Sequence, residues 1–459
     1  MMHRFGITLG AALLLAGSVH ALPPAPPAGG PPPINARSQL MITDLGVVQD
    51  PVRTNPQAGN KAVWTFQYLI RNMAGAQDPA VFALQWLEQW EHDQVINGHV
   101  SPARPQIRKL VIDPWLAASG GQKLDLTKAP FKLLAIVNRM DLRVTDHGQV
   151  WTAGEGRFVF GVLGADGKPL PALAGNLPGG FNIIFEYGLV ATNMPQLSAW
   201  AAQWAGLGRY PVGSPNYNAA LEALTRRFTD QWQAPTKPNG NALDQLRSNE
   251  LALGAPWELR EFVIDATTGL LRQKTVAQTP DIIALNGTPA LADIINSNET
   301  ALLNETFALS TNQEGAAALA GPFQQRDFPN ASQRTFTTIE LRNPFFDVPW
   351  SAAGIHNNDA RQAFAVNTCG GCHRTETGAN FQQIGFPKTN SLPASLGRPA
   401  VLAGFLTGSE VPDPVDPTTT RIFGDLERRR LDLVNLLASF GPTGTGPGPQ
   451  GRHVPNFVH

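Results

Sequence analysis

Sulfur is scarce in this chain. Two cysteines serve 459 residues, so no disulfide framework can staple the fold and stability must come from buried apolar cores. An excess of charge of either sign is also missing: 35 Lys and Arg against 36 Asp and Glu leave a formal net charge of −1. The longest basic run is Arg428-Arg429-Arg430, inside a helical pattern. Nucleic-acid binding needs a clustered cationic face and is not expected. Past the N-terminus, no apolar run reaches the roughly 20 residues needed to span a bilayer, so no stable membrane insertion is expected. Gly-x-Ser-x-Gly, His-Glu-x-x-His and Walker motifs are absent, which removes the most direct hydrolase and nucleotide readings. No internal repeat is found.

The first residues have an address of their own. Arg4 precedes the apolar "FGITLGAALLLAG", and Val19-His20-Ala21 has the small-x-small form of a cleavage site. Residues 1–21 therefore read as a secretory signal peptide, and the protein as exported, periplasmic or extracellular. No cysteine follows the apolar stretch, so a lipid anchor is not expected. Residues 22–37, rich in Pro and Gly, read as an extended tether.

From 38 to 343 the pattern alternates between helix-like and strand-like stretches. Apolar residues three and four apart predict helices at 60–74, 78–96, 195–207, 216–232, 241–253 and 288–303. Buried strands are predicted at 131–143, 156–170 (ending in a turn), 179–190 and 334–343, with a hairpin over 257–276 turning at Thr268-Gly269. The fold class expected is α+β. The stretch 344–441 reads as a smaller, mostly helical part: a short helix at 359–368, Pro- and Gly-punctuated loops, and a helix at 425–440 with Asp425 as N-cap and Gly441-Pro442 as stop. Residues 442–459 read as a disordered tail.

Both cysteines fall in "NTCGGCHRTETG", as Cys369-Gly370-Gly371-Cys372-His373. Cys-x-x-Cys-His is the attachment pattern of c-type haem: each thiol adds to one vinyl group, and the following imidazole is placed beneath the iron. With a helix leading in and an apolar helix closing the chain, residues 350–440 resemble a small cytochrome c domain. That resemblance implies one covalent haem c on Cys369 and Cys372, with His373 as proximal iron ligand. No methionine lies beyond Cys372, so the sixth position is expected to be empty, filled by a His, or filled by a Met from the larger part. His356 is the nearest alternative by sequence and His453 the next. An open or His-filled site implies peroxide or small-ligand chemistry, or a low-potential electron relay, over a simple high-potential shuttle.

Other readings of the same residues stand beside this one. Cys369 and Cys372 can form a local disulfide in a secreted binding or structural protein. A zinc site needs four ligands, and no second pair is at hand. A thioredoxin-like pair needs a following apolar helix, where this chain has polar "RTETGANFQQ". In the larger part, Arg139, Asp141, Arg143, Glu155, Arg157 and Glu186 flank predicted strands, where ion pairing is the common role. Glu155 with Glu186, together with Trp86/Trp90 and Trp200/Trp204, would also suit polysaccharide binding or hydrolysis. Glu410, Asp413 and Asp416 lie in a Pro-rich loop without the spacing of an EF-hand. The sequence names neither a catalytic residue nor a redox partner or substrate.

Overall fold

Stretches such as "FKLLAIVNR", "EGRFVFGV" and "NIIFEYG" are β-branched and aromatic on both phases of the alternation, as strands covered on both faces must be. The computed structural model, which describes residues 33–170, 180–254, 257–315, 318–319, 349–379, 381–387, 397–441 and 446–449, assembles them into one seven-stranded sheet. Its strands are β1 (Met41–Ile42), β2 (Phe131–Arg139), β3 (Glu155–Val162), β4 (Asn182–Gly188), β5 (Leu243–Asn249), β6 (Glu261–Ile264) and β7 (Leu271–Lys274), adjacent in chain order. Every neighbouring pair is antiparallel. The protein thus has mixed helix and sheet, as the α+β expectation required. The signal peptide, most of the tether, the strand expected at 334–343 and most of the tail lie outside the described residues.

One face of the sheet is apolar. Ile136, Phe158, Phe160, Ile183, Phe185, Leu246 and Phe262 point into the main core, where α1 (Phe66–Met73), α2 (Pro79–Leu87), α3 (Met194–Gly206) and α4 (Pro215–Thr229) cover them. Thr65, Asp78, Asn193 and Ser214 cap these helices by accepting a backbone N–H in the first turn. Three of the helices carry Pro in that turn, where no donor is lost. Trp86, Trp90, Trp200 and Trp204 are all buried. They are core, with Trp86 and Trp90 edge to face at 5.4 Å, and they offer no exposed stacking platform for sugars.

The opposite face is covered by the C-terminal segment. Leu134, Ala135, Val137 and Val159 from the sheet share an apolar cluster with Val366, Cys372, Ile384, Phe405, Leu406 and Leu426. A bulge between Leu133 and Ala135 lets the consecutive Leu134 and Ala135 both serve this face. Gly161 has no Cβ because Phe386 occupies that space. The closing helix, α6 (Asp425–Ser439), sends Leu433, Leu436 and Phe440 into the main core, while Leu431 is exposed.

Three local expectations are corrected. Residues 241–253 are not a helix: Leu243 and Leu246 mimic helical spacing, but strand pairing on both edges places the segment inside the sheet. The helix expected to reach 96 stops at Leu87, and a hairpin of Gln94–Ile96 and His99–Ser101 turns on Asn97-Gly98, both with positive φ. In α6 the N-cap is Gly424, and Asp425 opens the helix, paired with Arg428 and Arg429. Among the described residues no helix is long and apolar enough to cross a membrane, in keeping with the expected lack of membrane insertion.

Candidate functional site

Strand register puts charge on the covered face in rows. Val137, Arg157, Glu186 and Gln245 lie side by side on β2 to β5; Val159, Ile184, Arg247 and Glu261 form the next row, on β3 to β6. Their side chains make a zigzag of ion pairs. Arg157 reaches Glu155 at 2.6 Å and Glu186 at 3.1 Å. Arg247 reaches Glu186 at 3.3 Å and Glu261 at 2.8 Å, and Gln245 donates to Glu186 at 2.6 Å. Burial raises the Glu186 carboxyl above its ordinary range, while Arg157 and Arg247 pull it back.

A second charged group ties α6 to the end of β2. Arg139 grips Asp141 with two bonds of 2.9 and 3.0 Å, and Arg428 adds a third at 2.9 Å. Burial would raise the Asp141 carboxyl, but Arg139, Arg429 and Arg428 together hold it well below the usual carboxylate range. Arg143 takes Asp432 of α6 with bonds of 2.6 and 2.9 Å. Arg429 pairs with Asp425 at 2.5 Å. Burial, followed by the neighbouring Arg139, lowers the Arg429 guanidinium to about 10.

The cysteine segment follows helix α5 (Asn358–Val366), whose N-cap is Asn357. The chain then makes a wide turn in which Glu376 N–H donates to Gly371 O at 3.0 Å. A Cβ on Gly371 would collide with the Ala365 carbonyl, which is why glycine stands there. Arg361 holds the turn through Glu376 at 2.7 and 3.0 Å and also reaches Asp413 at 3.0 Å. Asp413 is thus part of an ion cluster, its carboxyl lowered to about 2: desolvation opposes the shift, and the Asp416 and Val415 amides with Arg421 and Arg361 overcome it. Glu410 and Asp416 do not join it in a metal site.

The two thiols enter different apolar clusters. Cys369 sits with Leu251, Trp257, Leu259, Val276 and Phe381, and Thr279 Oγ1 lies 3.4 Å from its sulfur. Cys372 sits with the sheet residues Leu134, Val137 and Val159. Both are free thiols, and burial pushes both up, Cys369 to about 12. They are protonated and poor nucleophiles at neutral pH. His373 is buried and stacks on Trp257 with ring centroids 5.0 Å apart. Its Nδ1 lies 2.5 Å from Phe381 O. A carbonyl can only accept, so Nδ1 carries the proton. Burial lowers this imidazole to about 4, against the Phe381 bond, which would raise it.

These placements correct the haem reading. Among the described residues no three His, Cys, Asp or Glu side chains gather into a group that could hold a metal ion. Covalent haem c on Cys369 and Cys372, His373 as its iron ligand, and the cytochrome c resemblance built on them are therefore not supported. His356, the distal candidate, is exposed on a loop, with its backbone N–H on Asn296 at 3.1 Å.

The structure instead brings His373 and Cys372 to the wall of a small cavity of about 70 Å³ between the charged sheet face and the C-terminal segment. Met41, Val137, Val159 and Ile184 supply its apolar floor, and Leu259, Ile384, Phe405 and Leu406 its other apolar walls. Arg139, Arg157, Arg247 and Arg429 line it against one carboxylate, Glu186. Asn182, Asn249 and Gln383 complete the wall. Of the charges singled out in the sequence, Arg139, Arg157 and Glu186 reach this cavity, while Asp141, Arg143 and Glu155 hold them or α6 from behind. Arg247, Asn249, Asn182 and Gln383 were missed. The polar alternation Gln245, Arg247, Asn249 was the available signal, hidden by the helical reading of that stretch. Comparisons of the chain with protein-family models, with curated proteins and with solved structures each find no match.

Proposed function

We propose that this chain binds a small anionic molecule with an apolar body in the cavity between β2–β5 and the C-terminal segment. The observation that carries the reading is the imbalance of the lining: four guanidinium side chains and one carboxylate on an otherwise largely apolar wall. All four guanidiniums are already paired within the protein, through Asp141, Glu155, Glu186, Glu261 and Asp425; a guanidinium carries five donors in a planar fork, and a ligand carboxylate or phosphate matches that geometry. The test is calorimetric titration of the protein with octanoate and, separately, octanol. Octanoate is expected to bind, octanol at least tenfold more weakly, and Arg429→Met to weaken octanoate about tenfold, or about 1.4 kcal/mol. Equal binding of acid and alcohol would overturn the reading.

The alternative read from the sequence, a secreted binding or structural protein with a local Cys369–Cys372 disulfide, stays open as a proposal, although both thiols are free in this structure. A Cys369–Cys372 disulfide, formed as an external thiol oxidant takes two electrons and the two thiol protons, would lower the mass by two hydrogens and remove both titratable thiols; retention of two thiols in the exported protein speaks against it. Export itself is proposed from the N-terminal pattern, and a mature chain beginning at Leu22 would bear it out. The division into a larger α+β part and a smaller C-terminal part is likewise proposed, to be tested by limited proteolysis.

A further inference from the structure

The cavity wall contains acceptors that the protein does not satisfy. Asn182, only 3% exposed, donates from Nδ2 to Ile384 O at 2.5 Å, which fixes its amide orientation and leaves Oδ1 buried with no donor. Gln383 repeats the arrangement: Nε2 donates to Cys372 O at 3.0 Å, and Oε1 is buried with no donor. Neither amide can flip without losing its bond to a carbonyl. A buried acceptor without a donor costs about 1–3 kcal/mol, and such groups in native proteins ask for an explanation.

Their position relative to the guanidiniums adds the second half of the argument. Asn182 pairs with Gly161 and Glu186 with Arg157 on the same two strands. Asn182 and Glu186 stand four positions apart on β4, roughly 13 Å at the usual rise per strand residue. Between them on this face lies Ile184, paired with Val159. The cavity therefore has guanidiniums at one end, from Arg157, Arg139 and Arg429, a middle row in which Ile184 and Val159 stand beside Arg247, and the unsatisfied acceptor of Asn182 at the other end of β4.

Building on the anion-binding reading, we propose that the natural ligand is bipolar: an amphipathic acid that also carries a donor, a hydroxyl or N–H, remote from its anionic group. Asn182 and Gln383 are then its specificity determinants. The anion lies among the guanidiniums, the hydrocarbon crosses Ile184 and Val159, and the remote donor satisfies Asn182 Oδ1 and Gln383 Oε1.

Calorimetric titration of the full chain with octanoate, 2-hydroxyoctanoate and 8-hydroxyoctanoate tests this. The 8-hydroxy acid is expected to bind about three- to tenfold more tightly than octanoate, the gain from one or two hydrogen bonds, and the 2-hydroxy acid no more tightly. In Asn182→Leu and in Gln383→Met the preference for the 8-hydroxy acid over octanoate, each measured on the same variant, should shrink to twofold or less. Gln383→Met, on a less buried residue, keeps the test open if Asn182→Leu fails to fold. Octanoate binding without any preference for the remote hydroxyl overturns this inference alone. No binding of any of the three acids overturns the anion reading and this one with it.

Discussion

The two faces of the central sheet solve burial in opposite ways. On the helix-covered face, Phe66 stacks on Phe131 at 3.9 Å, and Trp86, Trp90 and Phe262 close round one another. Apolar contact dominates that side, joined by single hydrogen bonds such as Trp90 Nε1 to Glu250 at 2.8 Å. On the face under the C-terminal segment, Arg157, Glu186, Arg247 and Glu261 are all buried and interlocked. Buried ion pairs contribute little net stability, and hydrophobic replacements often do as well. Charge kept there at such a cost points to a site, and the cavity lies on that face. The first face builds the protein and the second gives it something to hold.

That contrast can be broken from either side. The largest effect expected is from Arg247→Met, which strands Glu186 and Glu261 without their shared cation; chemical denaturation should show a loss of about 5 kcal/mol, the upper end for removing one partner of a buried pair. Trp86→Ala, on the apolar face, should cost about 4 kcal/mol by the same measurement. If Trp86→Ala proves far more damaging than Arg247→Met, the charged face is less tightly coupled to folding than its ion pairs imply.

Acid should act through the charged face. His373 stays neutral in the folded chain down to about 4, whereas in the unfolded chain it takes up a proton near its ordinary value of about 6.5. The unfolded state therefore binds more protons across that window, and the His373 contribution to stability falls as pH drops from about 6.5 to about 4, by about 3 kcal/mol, and is then constant. Denaturation midpoints at pH 7.5 and pH 4.5 measure the loss, and His373→Gln should flatten it. The smallest effect belongs to the surface pair Glu427–Arg430: Glu427→Ala should leave the midpoint unchanged within error.

Legibility followed distance along the chain. The strands at 131–139, 155–162 and 182–188 and the hairpin turning at Thr268-Gly269 were readable because alternation and turn residues are local signals. The strand at 243–249 was not, because Leu243 and Leu246 fit both periods and only pairing with β4 and β6 decides between them. The charges around 139–157 and Glu186 were correctly suspected of ion pairing. Their partners Asp432, Arg428 and Arg247 lie far off in sequence, and no spacing rule links them.

The pentapeptide at 369–373 marks the limit of local inference. Residue types at a fixed spacing say what a segment is able to do when its side chains converge, and here they pointed to haem. The fold turns Cys369 and Cys372 into separate apolar clusters and stacks His373 on Trp257. By itself the sequence determined the mixed helix and sheet, most of the elements, and reliance on cores over disulfides, because backbone periodicity and composition act within a few residues. Only the tertiary structure decided that one sheet face would be charged, covered and hollow, because that depends on contacts such as Asn182 with Ile384, which chain folding alone brings together.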